Sequence, residues 1–164
     1  MKRIFFIFLT LTVVSSLLTS CKKEPIYRND VSCKLLAAEI YDEADLTEDF
    51  SEYNQEELSF LFKGTSLYDD CSVIYSTETV DISEIGVFHC PDSELAQRLY
   101  ESISEYVTEQ QTYQRAFISS YAPYELTKLD DAIARRYGSY VVYMILERSD
   151  QYDAWDKIEE MLQK

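Results

Sequence analysis

Two short segments, "DAIARRY" and "YVVYMILE", are separated only by Gly138-Ser139, and this spacing constrains the fold more than any other feature of the chain. A two-residue turn joins neighbouring antiparallel strands, because parallel strands need a long crossover between them. A second pair of strand-like segments lies upstream, "CSVIYST" (Cys71 to Thr77) and "EIGVFHC" (Glu84 to Cys90), both rich in β-branched and aromatic residues. If that hairpin is symmetric about the loop near Val80 and Asp81, Tyr75 faces Gly86, Val73 faces Phe88 and Cys71 faces Cys90.

Helical patterns alternate with the hairpins. "CPDSE" closes a strand and opens a helix, with Asp92 or Cys90 at the cap. Leu95, Leu99, Ile103, Tyr106, Gln110, Tyr113 and Phe117 recur at spacings of three and four, which predicts one long amphipathic helix ending near Pro123. After a short helical or turn segment and the second hairpin, a last helix starts at Ser149 or Asp150 and buries Trp155, Ile158 and Leu162. Upstream, Asp30 is expected to cap a helix through Tyr41 that buries Cys33, Leu36, Ala37 and Ile40. "EELSFLFKG" forms a second short helix stopped by Gly64. The expected product is an α+β domain over residues 31–164. In it, a four-stranded antiparallel sheet of two β-hairpins packs against one long and several short helices.

Ahead of that domain the chain is of a different kind. Lys2 and Arg3 precede an apolar run from Ile4 to Leu18 that holds Thr10, Thr12, Ser15 and Ser16. A spanning helix needs ~20 apolar residues, so the run fits the core of an export signal better. No A-x-A-like cleavage site follows. "LTSC" (Leu18 to Cys21) instead resembles the lipobox of bacterial lipoproteins. That resemblance implies a signal peptide at 1–20, lipidation at Cys21 and a tether at 21–30. It also implies an extracytoplasmic domain anchored to the cell membrane by lipid, since two acyl chains hold stably where one is marginal.

Charge excludes several partners. The chain carries 15 Lys+Arg against 30 Asp+Glu, and removing the first 20 residues takes away only Lys2 and Arg3. Nothing here forms the basic footprint that nucleic acid requires. The folded body is also not drawn to anionic headgroups, which leaves the lipid to do the holding. A high net charge favours a monomer. From Glu39 to Glu57 the run "EIYDEADLTEDFSEYNQEE" holds nine acids and no base. Carboxylates are hard ligands that could take a cation, but the EF-hand pattern is missing, so a solvated acidic face is expected and no metal is assigned. Gly64, Gly86 and Gly138 are isolated, so no phosphate-cradling loop exists and no cofactor is expected.

A few residues remain as candidates for chemistry. With Cys21 acylated, Cys33, Cys71 and Cys90 are left, and no C-x-x-C motif occurs. A symmetric hairpin makes a Cys71–Cys90 disulfide geometrically possible, while buried reduced thiols are the favoured state. His89, the single histidine, lies beside Phe88 and Cys90 with no nucleophile elbow or H-E-x-x-H around it, so a structural role at a strand end is expected. Glu84 precedes an apolar strand and is a candidate binding residue, with an edge charge as its plainer role. Arg135 and Arg136 form a rare basic spot suited to a carboxylate or phosphate, or to the protein's own surplus acids. The tyrosines Tyr100, Tyr106, Tyr113 and Tyr121 on the long helix could bind a partner or pack on the sheet.

The block from Glu84 to Glu147 carries "EIGVFHCPDSELAQRLYESI" and then "FISSYAPYELTKLDDAIARRYGSYVVYMIL". Its Glu-Ile strand, long helix, Tyr121-Ala122-Pro123 element and Gly138-Ser139-Tyr140-Val141 hairpin resemble a family of small lipoproteins from Gram-positive bacteria, grouped only as a domain of unknown function. Cys90 and Pro91 depart from that family's usual charged or aliphatic residues. The resemblance implies a lipoprotein with an α+β domain and brings no catalytic residue. The functional expectation is a non-enzymatic binding or accessory module of the cell envelope, with a protein or small-ligand partner there. The alternative is a small carboxylate- or metal-dependent envelope hydrolase using His89.

Overall fold

The computed structural model describes residues 25–47, 49–64 and 66–164, so the expected signal, Cys21 and Glu48 lie outside the described residues. In chain order the elements are α1 (Cys33–Glu43), β1 (Phe50–Glu52), α2 (Gln55–Leu61), β2 (Asp70–Ser76), β3 (Glu84–His89) and α3 (Ser93–Glu109). There follow a π-helical segment (Gln110–Gln114), α4 (Arg115–Tyr121), a 3₁₀ turn (Pro123–Glu125) and α5 (Leu126–Asp131). β4 (Ile133–Tyr137), β5 (Tyr140–Ile145) and α6 (Arg148–Leu162) complete the domain.

The α+β class and the antiparallel sheet are as expected, but the sheet has five strands, not four, in the order β1-β2-β3-β5-β4. β1 lies inside the acidic run and pairs Phe50, Ser51 and Glu52 with Ser76, Tyr75 and Ile74. Three residues without period-two hydrophobicity leave no strand signature in the sequence. Both faces of the sheet are covered. On one face Ile85, Val87, Tyr140, Val142 and Met144 pack with Leu36 and Ile40 of α1 and Trp155 and Ile158 of α6. On the other, Phe88, Val141, Tyr143 and Ile145 pack with Leu58 and Phe62 and with Leu99, Ile103 and Tyr106 of α3. Every residue of β5 is consequently buried, which explains its uninterrupted apolar run.

Capping settles the helix starts. Asp92 accepts from the Glu94 and Leu95 amides and so caps α3. Ser32, not Asp30, caps α1 by accepting from the Leu35 amide, while Asp30 pairs with Arg28 at 2.9 Å. α6 starts at Arg148, just before the expected position, with no side-chain cap. Its Trp155, Ile158 and Leu162 are buried as predicted, and so are Cys33, Leu36, Ala37 and Ile40 of α1.

The long helix is correctly expected up to Tyr106, and then its pattern slips. The π-helical turn at Gln110–Gln114 inserts one extra residue into the helical repeat. The inward phase moves on by one, so Ile118 is 5% exposed where the periodicity pointed to Phe117, which is 57% exposed. Tyr113 faces solvent for the same reason.

Candidate functional site

The first hairpin sets up the site through a shift of register. Tyr75 pairs with Glu84, Val73 with Gly86 and Cys71 with Phe88, so each expected partner is displaced by two residues. The hairpin is centred near Thr79 and Val80 instead of Val80 and Asp81. Asp81 is drawn out of the turn: its Oδ1 accepts from the Ser83 amide at 2.9 Å, the Ser83 hydroxyl at 2.7 Å and Lys128 Nζ at 2.7 Å. A two-residue displacement keeps every side chain on its expected face.

Glu84 is thereby placed at the first position of β3, pointing into the core beneath α3. Its Oε1 accepts from Tyr106 at 2.8 Å and from Tyr143 at 2.6 Å. Tyr53 is the third hydroxyl near the carboxyl, and its ring stacks on Tyr75 with centroids 4.1 Å apart. Gly86 makes this arrangement sterically feasible, because a Cβ there would lie 1.9 Å from Tyr143 Cε1. Burial pushes the Glu84 pKa up, and the tyrosine hydroxyls, which favour the ionised form, only partly oppose it. Burial and the neighbouring Glu84 push Tyr106 and Tyr143 up in turn.

A second group of charges adjoins this carboxyl. Lys128 Nζ lies 2.7 Å from Asp81 and 3.0 Å from Glu125, and all three side chains are largely buried. Glu125 also accepts from the Ile82 amide at 3.2 Å, which ties the 3₁₀ turn to the hairpin loop. Burial opposes ionisation of Asp81, but the Lys128 and Ser83 donors outweigh it and hold this carboxyl well below its ordinary range. The other oxygen, Asp81 Oδ2, is buried without a hydrogen-bond partner among the described residues.

Asp81 and Glu84 line one cavity of about 370 Å³, with walls that include Tyr53, Tyr75, Gln110 and Phe117. The π-helical turn brings Gln110 and Gln114 to its mouth. Single-turn π segments recur at functional sites because they re-aim side chains within an otherwise regular helix. Among the described residues the lining contains two carboxyls and no Lys, Arg or His.

The remaining candidates lie elsewhere. His89 sits at the far end of β3, on the opposite face from Glu84, with Nδ1 2.6 Å from Asp69 Oδ1 and its ring against Tyr140. The Arg135 guanidinium lies 4.3 Å from the Trp155 ring centroid, and Arg136 donates to the Gly138 carbonyl. Neither arginine lines the cavity. Cys33, Cys71 and Cys90 are free thiols, and Phe88 occupies the position opposite Cys71 that the symmetric hairpin gave to Cys90. Within the acidic run, Glu52 accepts from Ser72 and Lys34, Glu39 pairs with Lys157, and Glu57 closes the capping box of α2. Among the described residues no group of three or more His, Cys, Asp or Glu side chains could hold a metal ion, and no helix is long and apolar enough to cross a membrane.

Sequence reasoning singled out Glu84 but passed over its companions. Glu125 and Lys128 stand at helical i,i+3 spacing in "YELTK", a weak signal that an ion pair could form. Nothing local in the sequence joins either of them to Asp81, which lies 47 residues before Lys128.

No curated protein and no solved structure matches the chain. The family model of a domain of unknown function, DUF4358, matches residues 42–146, which takes in all five strands, Glu84, Asp81, Lys128 and the cavity; the chain belongs to this family.

Proposed function

We propose that this protein is a lipid-anchored extracytoplasmic lipoprotein whose domain acts as a non-enzymatic binding module of the cell envelope, taking a small ligand in the cavity at Asp81 and Glu84. The observation that carries the binding role is a buried carboxyl held by two tyrosine hydroxyls at the floor of a pocket of small-molecule size. Such a carboxyl lowers stability wherever it is ionised, and a stability cost of this kind is characteristic of a working site.

The anchor rests on "LTSC" after a short apolar run. Such an anchor would also orient the domain. Tyr27 pairs with Gln163, and its ring packs edge-on against Tyr137, beside the Gly138 turn. From Cys21 to Tyr27 the chain can reach at most about 20 Å. An acylated Cys21 would therefore hold the Gly138 end of the sheet near the bilayer. Glu84 pairs with Ile145 at the other end of the strands, so the cavity would open away from the membrane. Replacing Cys21 by serine should abolish acylation and move the protein from the detergent phase to the aqueous phase; unchanged partition would remove the lipoprotein assignment. Native mass spectrometry of the protein recovered from its host tests the binding role, with a bound small molecule as the expected result.

A second reading, a carboxylate-dependent hydrolase, is favoured by one observation. Asp81 is held below the ordinary carboxyl range and Glu84 is pushed above it, within one cavity. Carboxyls driven apart in this way take the base and acid roles in several hydrolases. Turnover of ester or glycoside substrates, lost in both Glu84→Gln and Asp81→Asn, would favour this reading over the binding module. His89 has no place in it, being at the other end of β3.

A further inference from the structure

We propose that the open edge of β1 takes an extended basic segment of a partner protein as a sixth strand, its apolar side chains lying in the groove between β1 and α1. This surface is separate from the cavity, and the inference does not depend on the cavity holding a ligand.

The backbone gives the first argument. The Tyr53 amide donates to the Val73 carbonyl at 2.9 Å, and the Thr77 amide to the Asp49 carbonyl at 2.8 Å. With Ser51 opposite Tyr75, the groups directed at β2 belong to Asp49, Ser51 and Tyr53, because bonded and non-bonded pairs alternate along an antiparallel ladder. The amides and carbonyls of Phe50 and Glu52 point the other way, off the edge of the sheet, and have no hydrogen-bond partner among the described residues. Phe50 is half-buried and Glu52 exposed, so the edge is open. Its register is continuous, without the proline or bulge that commonly blocks strand addition.

The groove gives the second argument. α1 packs over β2 and β3 rather than over β1. Where it borders β1 it presents Ala37 and Ala38, and their small side chains leave a recess of about 380 Å³ lined also by Tyr41, Phe50 and Ile74. A strand laid beside β1 would sit about 4.8 Å away and turn alternate side chains toward this recess. In recognition of this kind the main chain supplies affinity and such recesses select side chains.

Charge selects the partner. β1 lies within the run from Glu39 to Glu57, which holds nine acids and no base. Lys34 pairs with Glu52 and Lys157 with Glu39, but Asp42, Glu43, Asp45 and Asp49 make no ion pair among the described residues. These acids repel the same edge of a second copy and any acidic strand. A strand bearing Lys or Arg meets them with opposite charge, which stabilises cross-strand pairs.

The test is calorimetric titration of the full chain in non-ionic detergent with three blocked hexapeptides: alternating valine and lysine, alternating valine and glutamate, and the lysine peptide N-methylated at every amide. The expected result is saturable binding of the lysine peptide, about tenfold or more tighter than either of the others. In the complex, hydrogen exchange should slow at the Phe50 and Glu52 amides, while the Ser51 amide, directed at Tyr75, is protected before and after. Ala38→Trp, at an exposed position, should fill the groove and weaken binding about tenfold without entering the core. Comparable binding of the N-methylated peptide would mean attraction of charge without strand pairing. Comparable binding of the glutamate peptide would remove the basic partner, and no binding by any peptide would remove the edge as a docking site. Each of these overturns the proposal. So does sedimentation that shows a dimer lost in Ala38→Trp, which would give the groove to a second copy.

Discussion

The ring of Tyr143 lies over Gly86 so closely that a Cβ on that glycine would meet its Cε1 at 1.9 Å. Gly86 is directly opposite Tyr143 in the β3–β5 ladder, and the ring crosses the vacant position to donate from its hydroxyl to Glu84. Absence of a side chain at residue 86 therefore sets the geometry of a carboxyl two residues away. Gly86→Ala should destabilise the domain by about 2–3 kcal/mol, because the ring is fully buried and has nowhere to retreat. Urea unfolding checks this. The penalty should shrink clearly in a Tyr143→Leu background, where the clashing ring atoms are gone; an unchanged penalty would mean that the ring is not what forbids the methyl group.

Glu84 makes stability depend on pH in a direction opposite to that of an ordinary ion-paired acid. Its folded-state pKa is raised above the reference of 4.5, so the folded form holds the proton more tightly than the unfolded form does. The contribution of Glu84 to stability is fully present below pH 4.5 and is lost as the pH rises through the folded-state value. The groups facing the carboxyl are Tyr53, Tyr75 from β2, Tyr106 from α3 and Tyr143 from β5, none of them cationic. Glu84→Gln keeps the shape and removes the charge. It should raise the melting temperature at pH 8 and leave it nearly unchanged at pH 4. An equal shift at both pH values would show that the carboxyl is not being forced to ionise.

Much of this fold is legible in the sequence because its signals are local. The Gly138-Ser139 turn, the Asp92 cap and the α3 stripe up to Tyr106 each need only a few neighbouring residues to be recognised. What escaped depends on distant contacts. β1 exists because β2 offers it an edge, not because Phe50-Ser51-Glu52 prefers to be extended. The hairpin register leaves Asp81 outside the turn, where it meets Lys128, 47 residues further along the chain. The π-helical turn reverses the exposure of Phe117 and Ile118 with no glycine or proline to announce it. Glu84 could be picked out as an acid preceding an apolar strand, yet its burial becomes visible only when Tyr106 and Tyr143 converge on it.

The free cysteines give a chemical check on the register. Cys33 and Cys90 are fully buried and Cys71 is half-buried. Burial raises all three thiol pKa values, that of Cys90 being pushed up to about 12, which keeps them as unreactive thiols. Denatured Cys21→Ser protein should therefore titrate three thiols without added reductant. In the native state Cys71 should react first and slowly. A single thiol that rises to three on reduction, with Cys71→Ala leaving Cys90 newly reactive, would require Cys71 and Cys90 to meet, and so would contradict the pairing of Cys71 with Phe88.

Lys128 is the residue on which the polar side of the cavity depends. Its ammonium is held between Asp81 and Glu125; burial works against its charge, but the two carboxylates outweigh burial and raise its pKa. Lys128→Met matches the length of the stem and leaves two carboxyls buried without their cation. Removing one partner from a buried ion pair costs about 3–5 kcal/mol, well above what an exposed pair would contribute. The pH dependence identifies the cause. Asp81 is lowered from 3.8, so its stabilisation is fully present above that value and is lost as the pH falls through the folded-state value. The gap between wild type and Lys128→Met should thus be wide at pH 7 and narrow below about pH 4, as the stranded carboxyls of the variant take up protons. Chemical denaturation at both pH values measures it. A gap that stays constant with pH would assign the loss to packing of the lysine stem, and the cluster would no longer be a reservoir of uncompensated negative charge.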